Sequence, residues 1–471
     1  TFTGTVTITN GSKLIIGAGG NADPCLGYTT NPVVFTGSGG TLAINGASTN
    51  INANRSIFLN NGTGPAIIDP QGLPLIISAP ITGGGALTLL NSAAIGSYAI
   101  QFNSTGNTYS GPTTIGSASL YNATLQATAA NSFSPYSDIT LVTGSNAAQS
   151  VLDLNGFNNT IGVLNGPGTV LLGSNFNLVL TLGNTGGTGS FSGTISGYGS
   201  INLVGGKQTF TGTNMYQGLT TISGGTLNIN SNAAVSNASE IELGSGTLQA
   251  GASFTTGFGL NLIGSAGAVD ANGFTLVIPN QITGSGNLVI KSTNPGGIVQ
   301  LTGGSNNYTG STTIQSGVLN IASNASLGNS SSVTLSGGTL QAGSSIATTR
   351  PLTLSNSGTI DTQMYTMTLN GAITGSYPLT KMGSGTLILG GDNTHANAMI
   401  VSAGTLQVAS GNTKALAPGQ NVTVASSAIF DLNNTSETIG LLLDSSPGMG
   451  GTVSFGSPAS PPGPILSLST N

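Results

Sequence analysis

The sequence predicts an all-β fold, a parallel β-solenoid with almost no helix, and three observations carry that expectation. The first is internal repetition. N-Y-T-G-S-T-T-I-Q-S-G-V-L-N-I around Tyr308 recurs as N-M-Y-Q-G-L-T-T-I-S-G-G-T-L-N-I around Tyr216 and N-T-Y-S-G-P-T-T-I around Tyr109. It returns as T-F-T-G-T-V-T-I around Phe2 and N-T-H-A-N-A-M-I-V-S-A-G-T-L-Q-V around His395. These anchors lie 107, 107, 92 and 87 residues apart, and Ile8, Ile115, Ile222, Ile314 or Val401 follows each by six positions. The second observation is alternation. In Thr226-Leu227-Asn228-Ile229-Asn230 every second residue is apolar, so Leu227 and Ile229 share one face of a strand; Leu319 with Ile321 and Leu406 with Val408 repeat the arrangement. The third is that such runs are short and bounded by Gly or Asn-Gly, which leaves no stretch with helical periodicity.

Short strands in a long chain build either a sandwich or barrel of hairpins or a parallel solenoid. The solenoid is favoured because the same inward residues return at long intervals and because stacking like on like lets Asn, Ser and Thr form ladders. Coils of about 20 to 25 residues are expected. The chain then reads as one elongated domain of five modules, 1–106, 107–213, 214–305, 306–392 and 393–471, the last ending in a Pro-rich tail at 458–464. Within the modules Asp69, Asp270 and Asp361 each precede an Ile-Thr-Gly by twelve residues, and Asp153 and Asp431 occupy related positions. Those aspartates are expected to cap turns by accepting backbone N–H groups.

Composition limits the chemistry. Of 471 residues only 19 are charged, seven basic and twelve acidic, against about a quarter of a typical soluble domain. Disorder is excluded, because 37% of the residues are hydrophobic and the net charge is only −5. Seven dispersed cations give no footprint for nucleic acid. No apolar run is long enough for a membrane helix. The start T-F-T-G-T-V-T-I has neither the basic nor the apolar part of a signal peptide, so export with the targeting segment removed is expected. The single Cys25 can form no intramolecular disulfide and is expected to be a small core or turn residue.

Site residues are expected to be absent: none catalytic, none binding a cofactor, none binding a metal. His395, the only histidine, falls in the aromatic anchor column and reads as a packing residue, so a triad has no base. The repeated aspartates lie too many coils apart for a glycosidase pair. Glu240 and Glu242 are two apart on one strand face, but Ser332 and Thr334 replace them in the next module while Ile241 and Val333 stay apolar, so the acids are expected on the solvated face. Gly19 to Asp23 is one imperfect copy of a calcium-binding repeat, and Gly83-Gly84-Gly85 lacks the Lys and helix of a phosphate loop.

The motifs G-S-G-T-L, N-N-Y-T-G-S-T-T-I-Q-S-G-V-L-N-I and S-G-G-T-L-Q-A-G resemble the autotransporter-associated β-strand repeat of bacterial surface and secreted proteins, over residues 205 to 410 best. The resemblance implies a right-handed parallel β-solenoid at the outer surface of a Gram-negative-type cell, with structural or adhesive roles. The expected function is a non-enzymatic extracellular subunit of a surface filament that associates head-to-tail through its terminal coils. The alternatives are a monomeric adhesin passenger, binding a cell-surface glycan or a neighbouring cell, and a carbohydrate-active enzyme.

Overall fold

The computed structural model describes residues 2–17, 23–45, 49–93, 98–145, 149–235, 240–445, 450–456 and 463–468. The chain divides into two compact units, Thr1–Ile241 and Glu242–Asn471. Both are parallel β-solenoids. In the first, the strands Val6–Thr9, Val33–Gly37, Ile57–Asn61 and Ile81–Gly83 stack in that order. A second sheet climbs from Ser12–Gly17 to Leu164–Asn165, and a third from Thr49–Ile51 to Met215–Tyr216. In the second unit a ten-stranded sheet runs from Phe254–Thr255 to Leu442–Asp444, and a six-stranded one from Ile346–Thr348 to Thr452–Ser454. One isolated antiparallel bridge, Thr143 with Gln149, interrupts the parallel pattern among the described residues. Helix is confined there to three short 3₁₀ turns, Asp23–Leu26, Asn232–Ala234 and Asn324–Leu327.

Strand partners are homologous residues one coil apart, which is what stacked repeats require. Val318–Ile321 pairs with Thr339–Ala342, so Leu319 meets Leu340 and Asn320 meets Gln341. The coil is not of fixed length: partners are 19 residues apart at Ile201 and Thr220 but 27 apart at Val6 and Val33. Extra residues are accommodated where strands join. The inward positions, including Ile8, Ile115, Ile222, Ile314 and Val401, are all buried, as the repeat spacing predicts.

Where a coil turns, the strand ends and its backbone groups lose their ladder partners; a buried orphan of this kind costs about 1–3 kcal/mol. One side chain solves this in four modules. The asparagine two residues before each internal anchor is buried and reaches both neighbouring coils. Asn107 Oδ1 accepts the Ile81 N–H at 2.7 Å, and its Nδ2 donates to the Ser132 carbonyl at 2.7 Å. Asn214 bridges Ile195 and Ala234 at 2.8 and 2.6 Å, and Asn306 bridges Ile282 and Ser326 at 2.8 and 2.7 Å. Asn393 bridges Ile373 and Ala415 at 2.7 and 2.6 Å. Three of the pinned isoleucines are those of the repeated Ile-Thr-Gly. The glycine of that motif is required as well: at Gly284 φ is +96°, and a Cβ would lie 2.2 Å from the Leu262 carbonyl oxygen.

Lys381 departs from the apolar pattern. It stands in an inward column between Ile360 and Val401, yet is fully buried. Its Nζ donates to the carbonyls of Met382, Gly383 and Ala403 at 3.0, 2.8 and 2.9 Å, using the three donors an ammonium has. Burial brings the amine down to about 8, with Asp361 opposing the fall.

The asparagine clamp has a measurable consequence. Asn306→Ala strands the Ile282 N–H and the Ser326 carbonyl, and is expected to destabilise the chain by about 2–6 kcal/mol. Asn306→Asp keeps the acceptor but sets a buried carboxylate oxygen against the Ser326 carbonyl, so it should cost at least as much at pH 7; urea denaturation of the full chain followed by circular dichroism measures both.

Candidate functional site

The anchor column is the most conspicuous polar feature of the interior. Tyr109, Tyr216 and Tyr308 are buried, and each phenol bonds the threonine four residues on: Thr113 at 2.8 Å, Thr220 at 2.5 Å and Thr312 at 2.7 Å. Burial raises the Tyr109 and Tyr308 phenols to about 12, against the opposing effect of their hydroxyl bonds. These groups are therefore neutral packing elements. Phe2 departs from the column. It has no hydroxyl, the matching fourth residue is Val6 rather than Thr, and its ring is 49% exposed ahead of the first strand. Phe2 thus contributes its carbonyl, which accepts from Asn31 Nδ2 and Tyr28 N, more than a buried ring.

His395 keeps the column buried but changes the chemistry. The fourth residue on is Met399, which offers no hydroxyl, and Gln420 Nε2 instead donates to His395 Nε2 at 2.6 Å and to the Asn397 carbonyl at 2.9 Å. Nδ1 has no partner, and burial lowers the imidazole to about 4. A neutral, enclosed ring is a packing residue, as its place in the repeat predicts. Glu437 lies in the same region of the repeat. It is buried, its Oε1 accepts the Ala415 N–H at 3.0 Å, its Oε2 is unpartnered, and burial raises the carboxyl to about 7.

The aspartate column caps turns. In Asp69, Asp153, Asp270, Asp361 and Asp431, Oδ1 accepts the N–H of the residue two on at 2.8 to 3.0 Å. Those residues, Gln71, Asn155, Asn272, Gln363 and Asn433, all have φ between +47° and +53°. The side-chain cap stabilises the left-handed turn that a non-glycine residue resists. What sequence reading missed is the second oxygen. In four of the five, Oδ2 accepts from a glutamine in register on the preceding coil: Gln126, Gln249, Gln341 and Gln407, at 2.7 to 3.0 Å. Two of these extend back another coil, Gln101 to Gln126 at 2.7 Å and Asn320 to Gln341 at 2.8 Å. The recurrent Gln of T-L-Q-A and T-L-Q-V was the available signal.

Glu240 and Glu242 flank buried Ile241 on their strand, outside the core. Cys25 is a free, exposed residue in the first 3₁₀ turn, a turn residue and not a core one. Residues 19–22 of the possible calcium loop and 458–462 of the Pro-rich tail lie outside the described residues. Among the described residues no cluster of three His, Cys, Asp or Glu could hold a metal, and no helix is long and apolar enough to cross a membrane.

Residues 205–229, 296–321 and 379–408 match the passenger-associated-transport-repeat. These three segments are similar to passenger-associated transport repeats. Each matched segment contains one Asn-x-aromatic clamp, Asn214 with Tyr216, Asn306 with Tyr308, and Asn393 with His395, so the repeat is the unit that pins coil to coil. The chain is also similar to the adhesin BmaC autotransporter of Brucella suis, 30% identical over 207 residues, which is 42% of this chain and 6% of that protein. It therefore spans a small fraction of the relative's length. No solved structure matches the chain at a significant level.

The two buried titratable groups predict opposite pH effects. The His395 pKa is lower folded than unfolded, so its contribution is present above about 6.5 and lost as pH falls through 4. The Glu437 pKa is higher folded than unfolded, so its contribution is present below 4.5 and lost as pH rises through about 7. The histidine side-chain NMR resonance should titrate near pH 4. Glu437→Gln should raise the melting temperature at pH 8 by about 2–4 °C and have little effect at pH 4.5.

Proposed function

We propose that this chain is a non-catalytic structural β-solenoid of the bacterial outer surface, and that it associates head-to-tail through its terminal coils. The observation that carries this reading is the state of the last strand edges. Leu442–Asp444, Thr452–Ser454 and Leu466–Leu468 are each the final strand of their sheet, and Leu441, Leu442, Leu443, Phe455, Ile465 and Leu468 are exposed around them. An outer parallel strand with exposed apolar neighbours is a template for another β-coil. The first strands, Val6–Thr9 and Ser12–Gly17, offer a matching edge with exposed Phe2 and Ile15. Repetition of one such heterologous contact produces a filament. The scarcity of charge makes that contact insensitive to salt.

The similarity to an adhesin favours a second reading, a passenger segment in which the same edges continue into further coils of a longer surface protein. Electron microscopy and light scattering of the purified chain separate the two. Filaments of constant width are expected from the parent chain, and Leu441→Lys with Leu443→Lys should abolish them without unfolding it. A parent chain that stays monomeric at high concentration overturns the filament and leaves the passenger reading.

A further inference from the structure

We infer that the first unit carries a binding groove for neutral oligosaccharides, built on one corner of its coils around Phe176 and Tyr198. This names a partner class for the surface role proposed above and rests on that reading for its setting.

The groove begins with a gap in the side-chain covering. Asp153, Leu171, Ser196 and Met215 follow one another in register on four successive strands, forming an outward column. Immediately beyond it the coils turn through Gly156, Gly173 and Gly197, with φ of +82°, +90° and +110°. The three glycines are stacked: a Cβ on Gly173 would lie 2.7 Å from the Gly156 nitrogen, and one on Gly197 would lie 2.7 Å from the Gly173 carbonyl oxygen. At Gly173 and Gly197 no side chain can grow without displacing backbone, and Gly156 faces open space, so the corner has a notch. Together with Asp153, Asn155, Leu171, Ser174 and Ser196 these residues line a cleft of about 430 Å³, within the range of small-ligand sites.

Two aromatic residues stand beside the cleft, next to its lining in the chain. Phe176 follows Ser174 of the lining by two residues, and Tyr198 follows Gly197 directly. The rings meet edge to face, with centroids 4.7 Å apart and planes at 71°, yet Phe176 remains 61% and Tyr198 39% exposed. An edge-to-face pair fixes each ring while leaving a ring face open to solvent. Met215, 55% exposed at the end of the column, extends the apolar strip.

The chemistry of this groove fits a sugar better than a peptide. A pyranose presents C–H groups on its faces and hydroxyls on its rim. The open ring faces suit the first, and the carboxylate, amide, hydroxyl and exposed glycine backbone suit the second. Asp153 is held in place by the Asn155 N–H at 2.8 Å and Gln126 Nε2 at 2.7 Å, which leaves lone pairs on both oxygens for hydroxyl donors. No cation lines the cleft, so sialylated or sulfated glycans and acidic peptides are disfavoured. Three coils at about 4.8 Å each give the cleft the length of a short oligosaccharide.

The test uses the full chain on an array of neutral and acidic oligosaccharides, with peptide spots, followed by saturation-transfer NMR on the retained compounds. Selective retention of neutral oligosaccharides is expected. Phe176→Ala with Tyr198→Ala should weaken binding at least tenfold, Phe176→Trp should retain it, and Tyr377→Ala, at an exposed tyrosine of the second unit, should leave it unchanged. Unaltered circular dichroism and light scattering of the double variant would show that neither fold nor self-association is affected, keeping this result independent of the filament. The inference is overturned if neutral oligosaccharides are not retained, if the double variant binds as well as the parent, or if acidic glycans or peptides are retained in their place.

Discussion

Everything in this structure depends on satisfying backbone polar groups where coils turn. Within a strand the parallel ladder does so automatically, since each N–H and C=O faces a homologous residue one coil away. At the corners it fails, and the cost of orphaned groups would accumulate with every coil. A single buried asparagine amide, accepting from the coil before and donating to the coil after, removes two orphans at once. It also fixes register, because a slip would leave the amide itself buried and unpaired. The repeated sequence is the record of that requirement: Asn, the anchor two residues on, and the Ile-Thr-Gly one coil back are parts of one device.

The amide and carboxylate ladders work by the same economy on the half-buried strand faces. A primary amide both accepts and donates, so Gln101, Gln126 and Asp153 form a chain with one direction. A carboxylate only accepts, so it ends the chain and turns its other oxygen to the backbone of the next turn. Five left-handed turns are therefore built with Asn or Gln instead of Gly. Nearly all this polar work is done by neutral groups, which explains how a chain with so few charges folds around a polar-lined set of corners.

Titratable groups inside the units are tuned chiefly by burial: His395 is neutral, Tyr109 and Tyr308 are neutral, and Lys381 is absorbed by three carbonyls. The strand edges of the last coils and the glycine-turned corner beside Phe176 lie outside that core.

The all-β solenoid, the inward column from Ile8 to Val401 and the turn-capping role of the aspartates were legible in the sequence, because each depends on local alternation or on repetition at fixed intervals. His395 as a packing residue was legible for the same reason. The second partner of each aspartate, the reach of the asparagines to two neighbouring coils, the burial of Lys381 in an apolar column and the exposure of Phe2 were not. Each depends on which residues of adjacent coils become neighbours, and register offsets of 18 to 29 residues make that offset vary along the chain. Periodicity along the chain determines which way a side chain faces; only the stacked coils decide what it meets there.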